Sequence, residues 1–281
     1  MRSLSAAITA PERDDIADAQ RIVVTAPGSW LPELDTPESP KLAVQLHLYF
    51  TELADELLQA VNQIPYPYDC FISVDTAAKQ VEMEALFTRC TAREVRIEVL
   101  PNQGRDIGPL LTQLAPVIDN YRYFAHAHTK RSQHMYLGDE WRRHLTAHTF
   151  GSPGYLQAVF AAFETDPQLG LAIPSLFERM IPAMGWDTTE TDVARLLQRL
   201  NMNVALPRMP LFAAGDFFWG RTSALRPLFD LGLAPKDFGR ERGQLRRTLA
   251  HVIERSWVYI AAGGGYHTVL FSNNLSHSQI D

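Results

Sequence analysis

Between Lys41 and Ala127 the apolar positions follow two rhythms in turn. Short apolar runs at Leu42–Leu46, Asp69–Asp75, Val95–Leu100 and Tyr123–Ala127 have the length and bounding residues of buried strands. The first is followed by Phe50, Leu53, Ala54, Leu57, Leu58 and Val61, the i, i+3, i+4 stripe of an amphipathic helix. Gln80–Cys90 reads as a second helix, and Ile107, Leu110, Leu111, Leu114, Val117 and Ile118 mark a third. Strand–helix alternation of this kind predicts an α/β fold with a parallel-rich central sheet flanked by helices.

Beyond Ala127 the pattern loosens. Ser152-Pro153 predicts an N-cap and first helical residue, opening a helix that carries Leu156, Val159, Phe160 and Phe163. Leu169–Pro174 reads as a strand, Thr191–Asn201 as a helix, Leu211–Trp219 as a buried strand and Leu245–Trp257 as a helix; Gly263-Gly-Gly265 reads as a turn. Residues 1–40 differ from the rest. Pro27, Pro32, Pro37 and Pro40 punctuate them, and only Arg21–Thr25 resembles a strand, which predicts an extended arm ahead of one domain over residues 41–281.

Composition bounds the function. With 46% apolar and 21% charged residues the chain can build a core, and a net charge of −6 argues against a general nucleic-acid surface. Cys70 and Cys90 form no CxxC pair and are expected to be reduced thiols. No apolar run approaches the roughly 20 residues of a membrane helix. The first residues hold Glu12, Asp14 and Asp15 without a long apolar stretch, so no signal peptide is expected. The expected location is cytoplasmic, with peripheral association at the inner membrane face left open.

Two polar clusters follow apolar runs: Asn102-Gln-Gly-Arg-Asp106 after Val95–Leu100, and His126-Ala-His-Thr-Lys-Arg-Ser132 after Tyr121–Ala125. Open α/β sheets place ligands at the carboxyl ends of their strands. Arg105, Lys130, Arg131 and the amides around Gly104 are donors suited to anionic oxygen, which points to a ligand carrying phosphate. A structural turn, with Gly104 supplying backbone freedom and Asp106 capping the next helix, is the alternative for the first cluster. His126 and His128 share a strand face and with His134 could form a metal site, although Lys130 and Arg131 would repel a cation. GxxxxGK[ST], GxGxxG after the first strand, HExxH and GxSxG are all absent. Among the late carboxylates, Asp237 and Glu241 precede a periodic helix, while Glu254 lies within it. Gly215, inside the apolar stretch Ala213–Arg221, suggests close approach by a ligand or a second backbone segment.

Taken in order, Leu46-His-Leu-Tyr49, Asn102-x-Gly-Arg-Asp106, His128-Thr-Lys-Arg-Ser132, Gly138-x-x-Trp-Arg142, Ala214-Gly-x-x-Phe-Trp219, Glu241-x-Gly-Gln244 and Thr248-Leu-Ala-His-x-Ile-Glu-Arg255 resemble the rhamnan synthesis protein F family of bacterial rhamnose-polysaccharide and O-antigen assembly. The resemblance covers roughly residues 41 to 260. It implies a GT-A-like glycosyltransferase that takes a nucleotide-activated sugar, with dTDP-L-rhamnose the expected donor, a glycan or lipid-linked glycan the acceptor, and inversion at the sugar. In that scheme His47 and Asp75 border the nucleoside. Asn102, Gly104, Arg105, Asp106, His128 and Gly215 shape the donor pocket, and Lys130 and Arg131 offset the leaving diphosphate without a metal. Glu241, or failing it Asp237, is the base. Asp216, Trp219, Gln244 and His251 lie on the acceptor side. Two segments depart from the family pattern: Gly243-Gln-Leu-Arg-Arg247 stands where Gly-Gln-x-Asp-Gly is usual, and Asp216-Phe217 where a small residue and Met are usual. The DxD of GT-A enzymes is also missing, and His128-Thr-Lys130 stands in its place. Two rival functions follow from the same residues: a non-catalytic glycan- or nucleotide-sugar-binding protein, and a metal hydrolase using His126, His128 and His134.

Overall fold

A computed structural model describes residues 41–129, 137–239 and 248–272. The expected arm over 1–40 lies outside them, as do Lys130, Arg131, His134, Glu241 and Gln244. The first half follows the alternation read from the sequence. Strand β1 (Leu42–His47) leads through a 3-10 turn to α1 (Ala54–Val61), then β2 (Tyr68–Val74), α2 (Ala77–Leu86), β3 (Glu94–Val99), α3 (Ile107–Leu114) and β4 (Tyr123–His128). Helices α4 (Gly138–Thr149) and α5 (Pro153–Thr165) precede β5 (Leu169–Pro174) and α6 (Glu190–Arg199). The chain continues through β6 (Phe218–Arg221), α7 (Thr222–Phe229), α8 (Leu249–Glu254), α9 (Trp257–Gly263) and β7 (His267–Phe271).

The strands form a seven-stranded sheet in the order β3-β2-β1-β4-β6-β5-β7. The pairs β1–β2, β1–β4, β2–β3 and β5–β7 are parallel; β6 runs antiparallel to both β4 and β5. The centre of the sheet is covered on both faces, which is why β1 and β2 are buried along their whole length. Leu42, Val44, Leu46, Cys70, Ile72 and Val74 point into a core closed by α1, α4 and α5. Ala43, Phe71 and Phe124 point the other way, into a core closed by α3 and α6–α9. Strand β3 is the outer strand and carries Glu94, Arg96 and Glu98, charges that suit an edge.

Ser152 caps α5 as expected: its Oγ accepts from the Tyr155 N–H at 3.3 Å, with Pro153 in the first turn. The second half corrects two expectations. Leu211–Trp219 is not one strand. Gly215 (φ 90°) and Asp216 (φ 56°) turn the backbone left-handed, and pairing begins only at Phe218. Leu245–Trp257 is not one helix. The helix stops at Glu254, Ser256 donates its hydroxyl back to the Val252 carbonyl (2.5 Å), and a separate helix, α9, begins at Trp257. The sheet is parallel-rich as expected, with β6 the reversed strand. The buried Arg221 at its end donates to the carbonyls of Leu169 (2.9 Å), Phe163 (2.6 Å) and Asp166 (3.1 Å), locking the reversed strand to the α5–β5 connection. Among the described residues no helix is long and apolar enough to cross a membrane.

Candidate functional site

Strand register brings the polar residues of the core together. Gln45 pairs with His126, and His47 lies level with Ser73 on one side and His128 on the other. All five occupy the alternate positions that share a face with Ala43, Phe71 and Phe124. On that face α3 arrives with Asp106 just ahead of its first residue.

Asp106 does not cap α3, contrary to the structural-turn expectation; no side-chain capping bond is made. Its carboxylate instead turns to the sheet, where Oδ2 lies 3.1 Å from His126 Nε2 and 3.9 Å from His128 Nε2. His126, fully buried, also contacts Gln45 Oε1 through Nδ1 at 2.7 Å. Its ring plane is nearly parallel to that of His128, 13° apart at a centroid distance of 6.1 Å. Burial, as the largest effect, raises the affinity of Asp106 for a proton. The His128, His126 and His47 rings together outweigh it and hold the carboxyl below the usual range. His47 is pushed down to about 4, chiefly by burial.

The approach of α3 is tight. Gly104 (φ 77°) and Arg105 (φ 56°) are both left-handed, and a Cβ on Gly104 would sit 2.5 Å from the Phe238 ring. Phe238 belongs to the 3-10 turn Pro235–Phe238, which therefore roofs the Asn102–Asp106 loop. Asn102 is exposed and Arg105 half-buried at the rim of this loop.

Facing the histidines is the turn that replaced the expected strand. His128 donates from Nε2 to the Gly215 carbonyl at 3.0 Å, and the Gly215 N–H donates to Glu254 Oε1 at 3.2 Å. Asp216 Oδ1 accepts from Trp257 Nε1 at 2.9 Å. Glu254 and Arg255 are 3.3 Å apart, and Arg255 reaches on to Asp187 at 3.0 Å and to the Gly185 carbonyl at 3.0 Å. The turn is thus held from α8 and α9 on one side and from β4 on the other.

His47, Asp106, His128 and Gly215 therefore converge at the carboxyl ends of the strands, and Asn102, Gly104 and Arg105 flank them. Asp75, just past the end of β2, is paired with Lys79 at 2.6 Å; the same ammonium donates to the Tyr49 carbonyl and lies over the Tyr49 ring. Other expected residues have structural partners. Trp219 is buried on the opposite face of the sheet, where its N–H donates to the Thr149 carbonyl at 2.8 Å, so it is a core residue and not part of an acceptor surface. His251 closes the first turn of α8, its Nδ1 2.8 Å from Thr248 Oγ1. The exposed Asp237 accepts from the Ala234 N–H at 2.8 Å. Among the described residues no group of three or more His, Cys, Asp or Glu is arranged to hold a metal ion. His126, central to the hydrolase alternative, has Gln45 on one nitrogen and Asp106 on the other.

Gln45, Ser73, Gln113 and Trp257 were not singled out in the sequence. The first three carried a signal: each is a polar residue at a position whose rhythm calls for an apolar one. Trp257 carried none, because its role, like that of the late carboxylate Glu254, depends on the turn at Gly215.

A family model described as Rhamnan synthesis protein F matches residues 24–266. Two curated relatives, both described as uncharacterized protein WxcX, come from Xanthomonas campestris pv. campestris strains B100 and ATCC 33913. Each is 34% identical over 221 residues, which is 77% of this chain and 31% of the relative. The chain thus spans about a third of the length of those relatives. Solved structures similar in outline include Staphylococcus aureus TarS 1–349 in complex with UDP (10% identity, 83% of this chain and 60% of that one, TM-score 0.45). A second is core-mannan synthase A from Aspergillus fumigatus in its Mn/GDP form (11% identity, 92% and 80% covered, TM-score 0.41). At such scores neither likeness bears on the chemistry of this chain.

Proposed function

The chain belongs to the rhamnan synthesis protein F family, and from that premise we propose that it is a glycosyltransferase acting in the assembly of a bacterial cell-surface polysaccharide. The donor is a nucleotide sugar, dTDP-L-rhamnose by the family's name, and transfer inverts the anomeric carbon. The observation that carries this proposal is the meeting of the Asn102–Asp106 loop and the Gly215 turn around His47 and His128 at the strand ends. The loop amides, Arg105 and His128 are donors of the kind a diphosphate accepts from. Lys130 and Arg131 follow β4 closely in sequence, and in this reading their charges take the part that DxD and its metal play in GT-A enzymes. Asp106, already engaged by two imidazoles, is poorly placed to serve as a metal carboxylate, and donor binding without a divalent ion is part of the proposal.

The departure at Gly243–Arg247 favours one second reading, a protein that binds the nucleotide sugar without turning it over. Purified protein incubated with dTDP-L-rhamnose and a rhamnan-type acceptor separates the two. The transferase should release dTDP in step with acceptor elongation, equally with EDTA present. Binding without release would leave the second reading standing. Dependence on added Mn²⁺ or Mg²⁺ would refute metal independence, and absence of both binding and release for every nucleotide sugar would refute the whole proposal.

A further inference from the structure

The hydrogen bonds behind Asp106 have directions that can be read from one fixed point. Gln113 Nε2 lies 3.0 Å from the main-chain oxygen of Ile72. A carbonyl only accepts, so Gln113 presents its NH₂ there and its Oε1 the other way. Gln45 donates to that Oε1 at 3.2 Å and to Ser73 Oγ at 3.0 Å, so both bonds use its NH₂. The Gln45 Oε1 is then an acceptor, and the atom 2.7 Å from it is His126 Nδ1, which must carry a proton. Across the ring, Nε2 faces Asp106 Oδ2 at 3.1 Å. A carboxylate oxygen there also requires a donor.

The same bookkeeping separates the neighbouring rings. Ser73 accepts from Gln45, which leaves its hydroxyl proton for the nearer of two acceptors: His47 Nδ1 at 2.9 Å, against the Leu46 carbonyl at 3.5 Å. His47 Nδ1 is therefore bare and that ring is neutral. His128 carries its proton on Nε2, toward Gly215. His126 thus has an acceptor at each ring nitrogen. Among the described residues, its hydrogen-bond partners are Gln45 and Asp106, and the rings of His128 and of Phe218 in β6 lie 6.1 Å from its own.

We propose that His126 is a buried imidazolium, protonated on both ring nitrogens, and that it is a positioning residue: through its ion pair with Asp106 it fixes the turn into α3, and so the Gly104–Arg105 corner, against β1 and β4. The low proton affinity of Asp106 agrees with this. The proposal stands whether or not the chain transfers a sugar, because it concerns the apo protein. The rival state is a neutral His126 facing a protonated Asp106.

Two-bond ¹H–¹⁵N correlation of the histidine rings decides between them in the native chain, with His126 assigned through its own backbone. Both His126 nitrogens should resonate in the protonated range, while His47 shows one protonated and one bare nitrogen. In Asp106→Asn the carboxylate is gone, and His126 should fall to the neutral Nδ1–H form, its Nε2 shifting to the bare range while Nδ1 stays bonded to Gln45. A bare nitrogen on His126 in the native protein overturns the proposal. So does an Asp106→Asn spectrum in which both nitrogens remain protonated. Should that variant not fold, the native spectrum alone decides.

Discussion

Asp106 shows how much of this site is decided by single residues. A carboxylate this buried would ordinarily take up a proton; here three imidazoles around it reverse the preference. Removing one partner of a buried charge pair leaves the other uncompensated, so Asp106→Ala should cost about 3–5 kcal/mol in denaturant unfolding. A loss under about 1 kcal/mol would mean the pair is not charged. The same environment predicts acid sensitivity. His47 is lowered from 6.5 to about 4, so between those pH values the unfolded chain binds a proton that the folded chain does not. Stability is therefore full above about 6.5 and falls as pH drops toward about 4, by up to the order of 3 kcal/mol. The depressed carboxyl of Asp106 adds a further loss below the ordinary carboxylate value. Unfolding midpoints measured against pH should show this slope in the native chain and a flatter one in His47→Gln. The catalytic base belongs to this scale too. With the Asp237 carboxylate already taking the Ala234 N–H, Glu241 is the proposed base. Glu241→Gln should lose on the order of 10²–10⁴ in turnover with donor affinity kept, and Asp237→Asn should lose little. The reverse pattern in steady-state kinetics would move the role to Asp237.

The loop before α3 and the turn before β6 carry the site, and they differ in how far the sequence announced them. Asn102–Asp106 was visible as a polar break after a strand, and its glycine was read as a corner. Gly104→Ala is expected to destabilise by about 1–3 kcal/mol, because it adds a left-handed alanine to a direct clash with the Phe238 ring. Near-native thermal stability of that variant would show that Phe238 can withdraw. Leu211–Trp219 reads as a strand from its apolar content, and local pattern does not contain the reason it is not one. The left-handed pair Gly215–Asp216 is held by His128, Glu254 and Trp257, all distant in sequence. Helix α4 was missed because its buried face includes Arg142, Thr146 and His148, which spoil an apolar stripe. Strand β7 was missed because its five residues follow a glycine run without alternation. The parallel half was legible because strands and helices alternate at regular spacing, β1, β2 and β4 are apolar apart from a few polar positions, and α1 and α3 keep their period. Convergence was legible only in part. The sequence brought Asp106, His128 and Gly215 forward as candidates, yet the relay of Gln45, Ser73 and Gln113 that supports them is a property of register.

At the scale of the molecule, the reversal of β6 joins the two halves. It carries the chain from β5's neighbourhood back to β4, so the turn preceding it lands opposite the carboxyl ends of β1, β2 and β4. A sheet parallel throughout would have sent that turn to the far edge. The sheet thus brings two loops more than a hundred residues apart in sequence to one place, and the account rests on that place being where the donor binds. A crystal structure of the chain with dTDP tests this most directly. The diphosphate is expected within hydrogen-bond distance of the Gly104–Asp106 amides or Arg105 and of His128, with Gly215 beside it. Clear density for the nucleotide at any other surface, with none beside these residues, would contradict the account.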